Sequence, residues 1–231
     1  MSAEKKRRRV SPLTVLGVLL MVCGLAVGGW YVHQIAGESE QDTELQAQAE
    51  NVIREYDREV VPSEPEKELK AIEEPDEIKN GATVGVLKIP SWGKDHAVPV
   101  IEGTTQENLD NGVGRYDYSA RPGQEGNLAI AGHRSGDPQP FRNLLEVNVG
   151  DKVILETKAA TYTYEVTKSA RDTTVVAQDG GWVVNAPEVP SDSKHTITLT
   201  TCTHLYRSWD RSVMFGELVD VEQKYQEVSP S

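Results

Sequence analysis

The sequence predicts an all-β domain with short helices, a closed barrel or sandwich of eight strands, preceded by one N-terminal transmembrane helix. Three observations carry that expectation. Residues 11–32 form an uncharged run of 22 residues, an acidic Pro-containing stretch follows it, and from Gly81 onward short β-type runs alternate with Gly, Pro, Asn and Asp. The 231 residues are 38% hydrophobic with a formal net charge of -12, but the charge is unevenly spread. Residues 1–10 carry +4, residues 37–80 carry -10, and the remainder carries -6. With no large basic segment, the composition argues against a nucleic-acid-binding domain, and no nucleic-acid partner is expected.

At 1.5 Å per residue, residues 11–32 can cross a hydrocarbon core roughly 30 Å thick. Lys5, Lys6, Arg7, Arg8 and Arg9 precede the run, as the positive-inside rule asks, and Trp30 and Tyr31 fall where an aromatic belt meets the far interface. The expected organisation is a cytoplasmic basic tail (1–10), a transmembrane signal-anchor (11–32), an acidic extracytoplasmic spacer (33–80) and an exported domain (81–231). A cleaved secretory signal is the alternative, since small residues at 26–29 permit cleavage. A nuclear-localisation reading of the basic cluster yields to the apolar run beside it.

The spacer is rich in Glu, Asp and Gln and contains Pro62, Pro65 and Pro75. It has too few large apolar residues for a core of its own. Residues 41–61 place Leu45, Ala49, Val52, Ile53 and Tyr56 at helical spacing, and the Pro-containing segment after them should be extended. Strands are expected at 83–89, 97–101, 127–131, 152–156, 162–167, 173–176, 195–201 and 212–221. Helical turns are expected at 106–111 and 141–146, with turn residues at 150–151 and 179–181 and no internal repeat.

Cys23 lies in the proposed span and Cys202 in the exported part, so they cannot pair. Cys202 is then a reactive or intermolecularly bonded thiol, or a buried inert one. His133 follows the run 127–131, Cys202 ends the run 195–201, and Arg211 opens the next. If those last two runs form a hairpin, Cys202 and Arg211 stand on opposite stems of one loop. A cation favours thiolate and an imidazole returns a proton to a leaving amine, so Cys, His and Arg suffice for acyl transfer through a thioester.

These residues also carry a resemblance. LAIAGHRSGDPQPF with His133, ITLTTC with Cys202, and Arg211 nine residues later resemble the signature of the sortases, the Gram-positive cysteine transpeptidases. VGVLKIPSWG, VPVIEGT, NLDNGVGRYDYSARPGQEGNLAIAGHR and the Gly-Asp before KVILET agree with it. The resemblance implies a sortase-type β-barrel with Cys202 as nucleophile, His133 as general acid and base, and Arg211 holding the substrate backbone and oxyanion. The short interval from Cys202 to Arg211 is most similar to class E of actinobacteria, which implies an LAXTG or LPXTG signal cut between Thr and Gly. Tyr116, with Tyr118 as fallback, aligns with the residue linked to that preference, and Thr201 joins it in the substrate-binding set.

The implied partners are surface proteins bearing C-terminal sorting signals, a peptidoglycan precursor amine, and the membrane through the N-terminal helix. Thr203-His204 follows the nucleophile where many class E relatives have His-Pro. His195 and His204 do not fit zinc-ligand spacings, and no metal or cofactor is expected. Arg207 competes with Arg211 for the cation role, and Tyr206 and Trp209 either line a peptide groove or pack the loop. Alternatives are a class D or pilin-polymerising sortase and a non-catalytic surface binding module. The Ser-His-Gly-Cys pattern of L,D-transpeptidases is not found.

Overall fold

The computed structural model describes residues 12–36, 40–59, 69–93, 96–176, 193–205 and 209–227. Two compact units emerge, Met1–Glu38 and Ser39–Ser231. The first holds α1 (Pro12–Ala36), a 25-residue helix with Leu16, Leu20, Val27 and Trp30 exposed. Its side chains are described from Leu16 to Trp30, about 22 Å of helix. Among the described residues no helix is long and apolar enough to cross a membrane.

The second unit contains α2 (Glu40–Glu59), α3 (Gln106–Asp110) and the strands β1 (Leu69–Ala71), β2 (Thr83–Lys88), β3 (Val98–Glu102), β4 (Val113–Arg115), β5 (Gly126–Ala131), β6 (Lys152–Glu156), β7 (Ala160–Lys168), β8 (Thr174–Val176), β9 (His195–Cys202), β10 (Asp210–Gln223) and β11 (Tyr225–Glu227). Neighbours run β7, β6, β2, β3, β4, β5, β9, β10, and β10 returns to β7, so eight strands close a barrel. The β3–β4 and β5–β9 pairs are parallel. β10 has 14 residues, enough for two partners along one side: Asp210, Arg211 and Ser212 pair with β8, and Phe215 onward with β7.

The strand number agrees with the sequence expectation, but the membership differs. The run expected at 173–176 is β8, which joins β10 outside the ring. The eighth ring strand is β4, which sequence patterning misses for a physical reason. All three residues of Val-Gly-Arg are buried, and Arg115 is buried by pairing with Glu102, so no apolar–polar alternation exists to detect. The turn expected at 179–181 lies outside the described residues.

Leu87, Val100, Leu128, Ile130, Ile197, Leu199 and Met214 fill the barrel, as alternation along each strand requires. The intervening residues Ala129, Val213 and Phe215 form a smaller cluster on the outer face, with Tyr116 and Val175 packed against it.

The helical spacing at 41–61 is realised as α2, with Leu45 and Ala49 buried. Ala49 packs with Val86 and Ala97, beside Val52 and Ile53, and Asp42 Oδ1 accepts the Gln139 N–H at 2.9 Å. Downstream, β1 pairs with β11, Gln223 donates to the Ile72 carbonyl at 2.6 Å, and Thr157 and Tyr162 donate to Glu74 at 2.5 and 3.0 Å. Part of the acidic stretch before Gly81 is therefore laid on the barrel.

Candidate active site

Strand register places two of the three expected catalytic residues, and the third follows a neighbouring strand. Cys202 is the last residue of β9, partly exposed, and Arg211 lies directly opposite it on β10. Directly paired antiparallel residues present their side chains on the same face. On the far side of β10, Val175 is the partner of Arg211. The β5–β9 register pairs Ala131 with Thr200, and the Gly132 N–H continues it by donating to the Thr200 carbonyl at 3.1 Å. His133 follows Gly132, two residues beyond the end of β5, at the same end of the parallel β5–β9 pair as Cys202.

Gly132 is what allows this approach. A Cβ there would stand 2.6 Å from the Phe141 ring and 2.9 Å from Val113, so the chain entering His133 packs tightly on the barrel end. The Phe141 N–H then donates to the His133 carbonyl at 2.9 Å.

Thr198, Thr200 and Cys202 face the outer cluster of Ala129, Val213 and Phe215. Thr200 is buried with its hydroxyl unpartnered. Thr201, expected among the substrate-binding residues, is 2% exposed and gives its hydroxyl to the Gly132 carbonyl at 2.7 Å. It ties β9 to the segment that carries His133.

Tyr116 packs on the outer cluster beside Arg211 and Cys202. Burial first, then the neighbouring Tyr118 and Cys202, push its phenol up to about 12 against the opposing pull of Arg211, so it is a neutral phenol beside those groups. Its loop is built on a buried ion pair: Arg115 Nε and Nη2 each meet Glu102 at 2.6 Å. Arg115 Nη1 also donates to the Ser119 carbonyl at 2.6 Å, and Nη2 to the Asp117 carbonyl at 3.2 Å. Tyr118 stacks obliquely on Tyr116, centroids 5.5 Å apart, and is exposed.

Sequence patterning assigns no role to three polar residues of the site. Arg134, next to His133, donates through Nη1 to the Thr203 carbonyl, and its Nε is buried without a partner. Burial lowers its guanidinium pKa, while Cys202 and then Glu146 oppose that shift. Its position in AGHR is the one signal that points to it. Gln106 and Asp110 on α3 flank His133, with Gln106 Nε2 3.1 Å from His133 Nε2 and Asp110 Oδ1 at 3.7 Å; no local pattern brings α3 there, because the parallel β3–β4 pairing does so. His195 sits at the far end of β9, its Nδ1 2.9 Å from the Gln124 carbonyl. Trp209 is 78% exposed and Leu205 is also exposed on the β9–β10 loop, whereas Tyr206 and Arg207 lie outside the described residues.

A closed barrel carrying a thiol, an imidazole and a guanidinium at one end of β5, β9 and β10 has the architecture of a cysteine transpeptidase. The Sortase domain family matches residues 87–219, and the chain belongs to the sortase family. It is 28% identical over 218 residues to sortase SrtE2 of Streptomyces coelicolor, covering 91% of this chain and 83% of that protein. Sortase D of Bacillus subtilis is 28% identical over 144 residues, covering 61% of this chain and 66% of that protein. Among solved structures, sortase E from Streptomyces avermitilis superposes with a TM-score of 0.57 at 30% identity, covering 63% of this chain and 93% of that one.

Proposed function

We propose that this sortase is a membrane-anchored, extracytoplasmic enzyme of class E that cleaves a C-terminal sorting signal of LAXTG or LPXTG type between Thr and Gly and transfers the protein to a cell-wall amine. The register of Cys202 against Arg211, with His133 following β5 at the same end of the parallel β5–β9 pair, is the observation that supports this reading. The Cys202 Sγ, as thiolate, attacks the Thr carbonyl carbon, and the negative charge developing on the oxygen faces the Arg211 guanidinium. The C–N bond to glycine breaks as His133 gives its proton to the departing amine, leaving a thioester on Cys202. An incoming amine attacks the thioester carbonyl, His133 takes up the proton it loses, and Sγ leaves.

Anchoring rests on the uncharged run 11–32, the preceding basic cluster and the α1 helix that contains most of that run. This topology places residues 1–10 in the cytoplasm and the catalytic unit outside. Class E is supported by the likeness to SrtE2 across most of the chain; the shorter likeness to a sortase D favours a second reading that shares the chemistry and differs in the signal. LAXTG and LPXTG peptides, with and without amine acceptors, separate these outcomes by mass spectrometry. A Cys202 thioester, cleavage after Thr and transfer to the amine are expected, with LAXTG preferred. A randomised peptide pool that yields no Cys202-dependent product overturns the catalytic reading.

A further inference from the structure

The amide of Gln106 is oriented by its neighbour. Its Nε2 lies 2.7 Å from Asp110 Oδ1, and an ionised carboxylate only accepts, so the group facing Asp110 is the NH2. The same nitrogen lies 3.1 Å from His133 Nε2 and has a second hydrogen to give. His133 Nε2 must therefore accept, which places the proton of the neutral ring on Nδ1. Asp110 Oδ1 stands 3.7 Å from the same ring nitrogen. With Nε2 held by α3, Nδ1 is the ring nitrogen left for proton transfer.

We propose that Gln106 and Asp110 are positioning residues for the transpeptidation, a pair that holds Nε2 of His133 through the whole catalytic cycle. The inference rests on the catalytic reading of His133. Each partner serves one state of Nε2. When Nε2 is bare, the Gln106 N–H donates to it, as the structure records. When the ring is an imidazolium, Nε2–H turns to the Asp110 carboxylate and Nδ1–H is the proton given to the departing glycine amine. That transfer leaves a neutral ring protonated on Nε2, still held by Asp110, with Nδ1 free to take the proton of the incoming amine. Cys202 from β9, Arg211 from β10, the adjacent Arg134 and Tyr116 are the other ionisable groups described at the site, and none of the four is a carboxylate.

Both α3 side chains are exposed, so their replacement leaves the barrel core untouched. The test uses the full chain in detergent micelles, with steady-state transfer kinetics and ring-15N NMR of His133. Asp110→Asn and Gln106→Leu are each expected to lower kcat about ten- to a hundredfold, part of what general acid–base catalysis supplies, with KM for the peptide within about twofold. Asp110→Glu restores part of the loss, and in Gln106→Leu the His133 15N signals lose the Nδ1–H tautomer preference. Unchanged kcat and 15N signals in both variants overturn the proposal, as does a loss confined to melting temperature. His133→Ala separates this outcome from the parent reading: if it leaves transfer intact, the catalytic assignment fails; if it abolishes transfer while the α3 variants do not, the positioning role alone fails.

Discussion

Arg211 stands directly opposite Cys202 across the β9–β10 ladder, so the backbone that carries the cation is held by the ladder rather than by a loop. In the proposed mechanism a rigid planar fork in that position stabilises charge that develops on an oxygen at Cys202, and a lysine does not reproduce the fork. Arg211→Lys is expected to lower kcat/KM about a hundred- to a thousandfold, the usual loss for one oxyanion donor, with the melting temperature little changed. Retention of wild-type kcat/KM in that variant would remove Arg211 from the reaction.

Thr201 ties the same strand to the His133 loop through the Gly132 carbonyl. Deleting its hydroxyl leaves a buried carbonyl short of a partner, a loss of about 1–3 kcal/mol. Thr201→Ala should therefore lower the unfolding free energy, read from the denaturant midpoint and m value, by that amount, and Thr201→Ser should keep most of it. Equal midpoints for wild type, Ala and Ser contradict the tie.

Much of this site is legible in the amino-acid order alone. Cys202 and Arg211 are readable because two long alternating runs flank a short loop, a pattern that fixes a hairpin and its facing residues. His133 is readable from a strand that ends at Ala131 and is followed by Gly132. Two features stay hidden. β4 is three buried residues with a charged one among them, so its place in the ring comes from the Arg115–Glu102 pair, a contact 13 residues apart. The α3 pair reaches His133 across 27 residues, a proximity set by strand order alone. Thr200 and Thr201 show the limit of a motif: TLTTC names both, and the pleat decides which one shares a face with Cys202.

The Glu102–Arg115 pair is buried, with both side chains 4% exposed, and it shapes the loop that carries Tyr116 and Tyr118. Glu102→Gln leaves a buried guanidinium without its counter-charge, a change that costs about 3–5 kcal/mol. The same variant loosens the Asp117 and Ser119 carbonyl contacts, so the ratio of LAXTG to LPXTG cleavage should move towards unity. Peptide competition read by mass spectrometry checks this; an unaltered ratio in a destabilised variant means the loop does not set the choice.

His96 gives the fold a pH dependence of its own. Its ring meets the Trp92 ring edge-on at 4.8 Å, and its Nδ1 is buried without a partner. Burial lowers its pKa below the ordinary 6.5, partly opposed by Asp42 of α2. The folded state then binds this proton less readily than the unfolded chain, so unfolding is favoured as pH falls through about 6.5 towards the folded value. One proton gives a slope of at most about 1.4 kcal/mol per pH unit. Glu74, raised chiefly by burial, works in the opposite direction at lower pH, so the comparison must be between variants. His96→Asn is expected to flatten the fall in melting temperature between about pH 7 and 5 relative to wild type; parallel curves would show that His96 carries no such linkage.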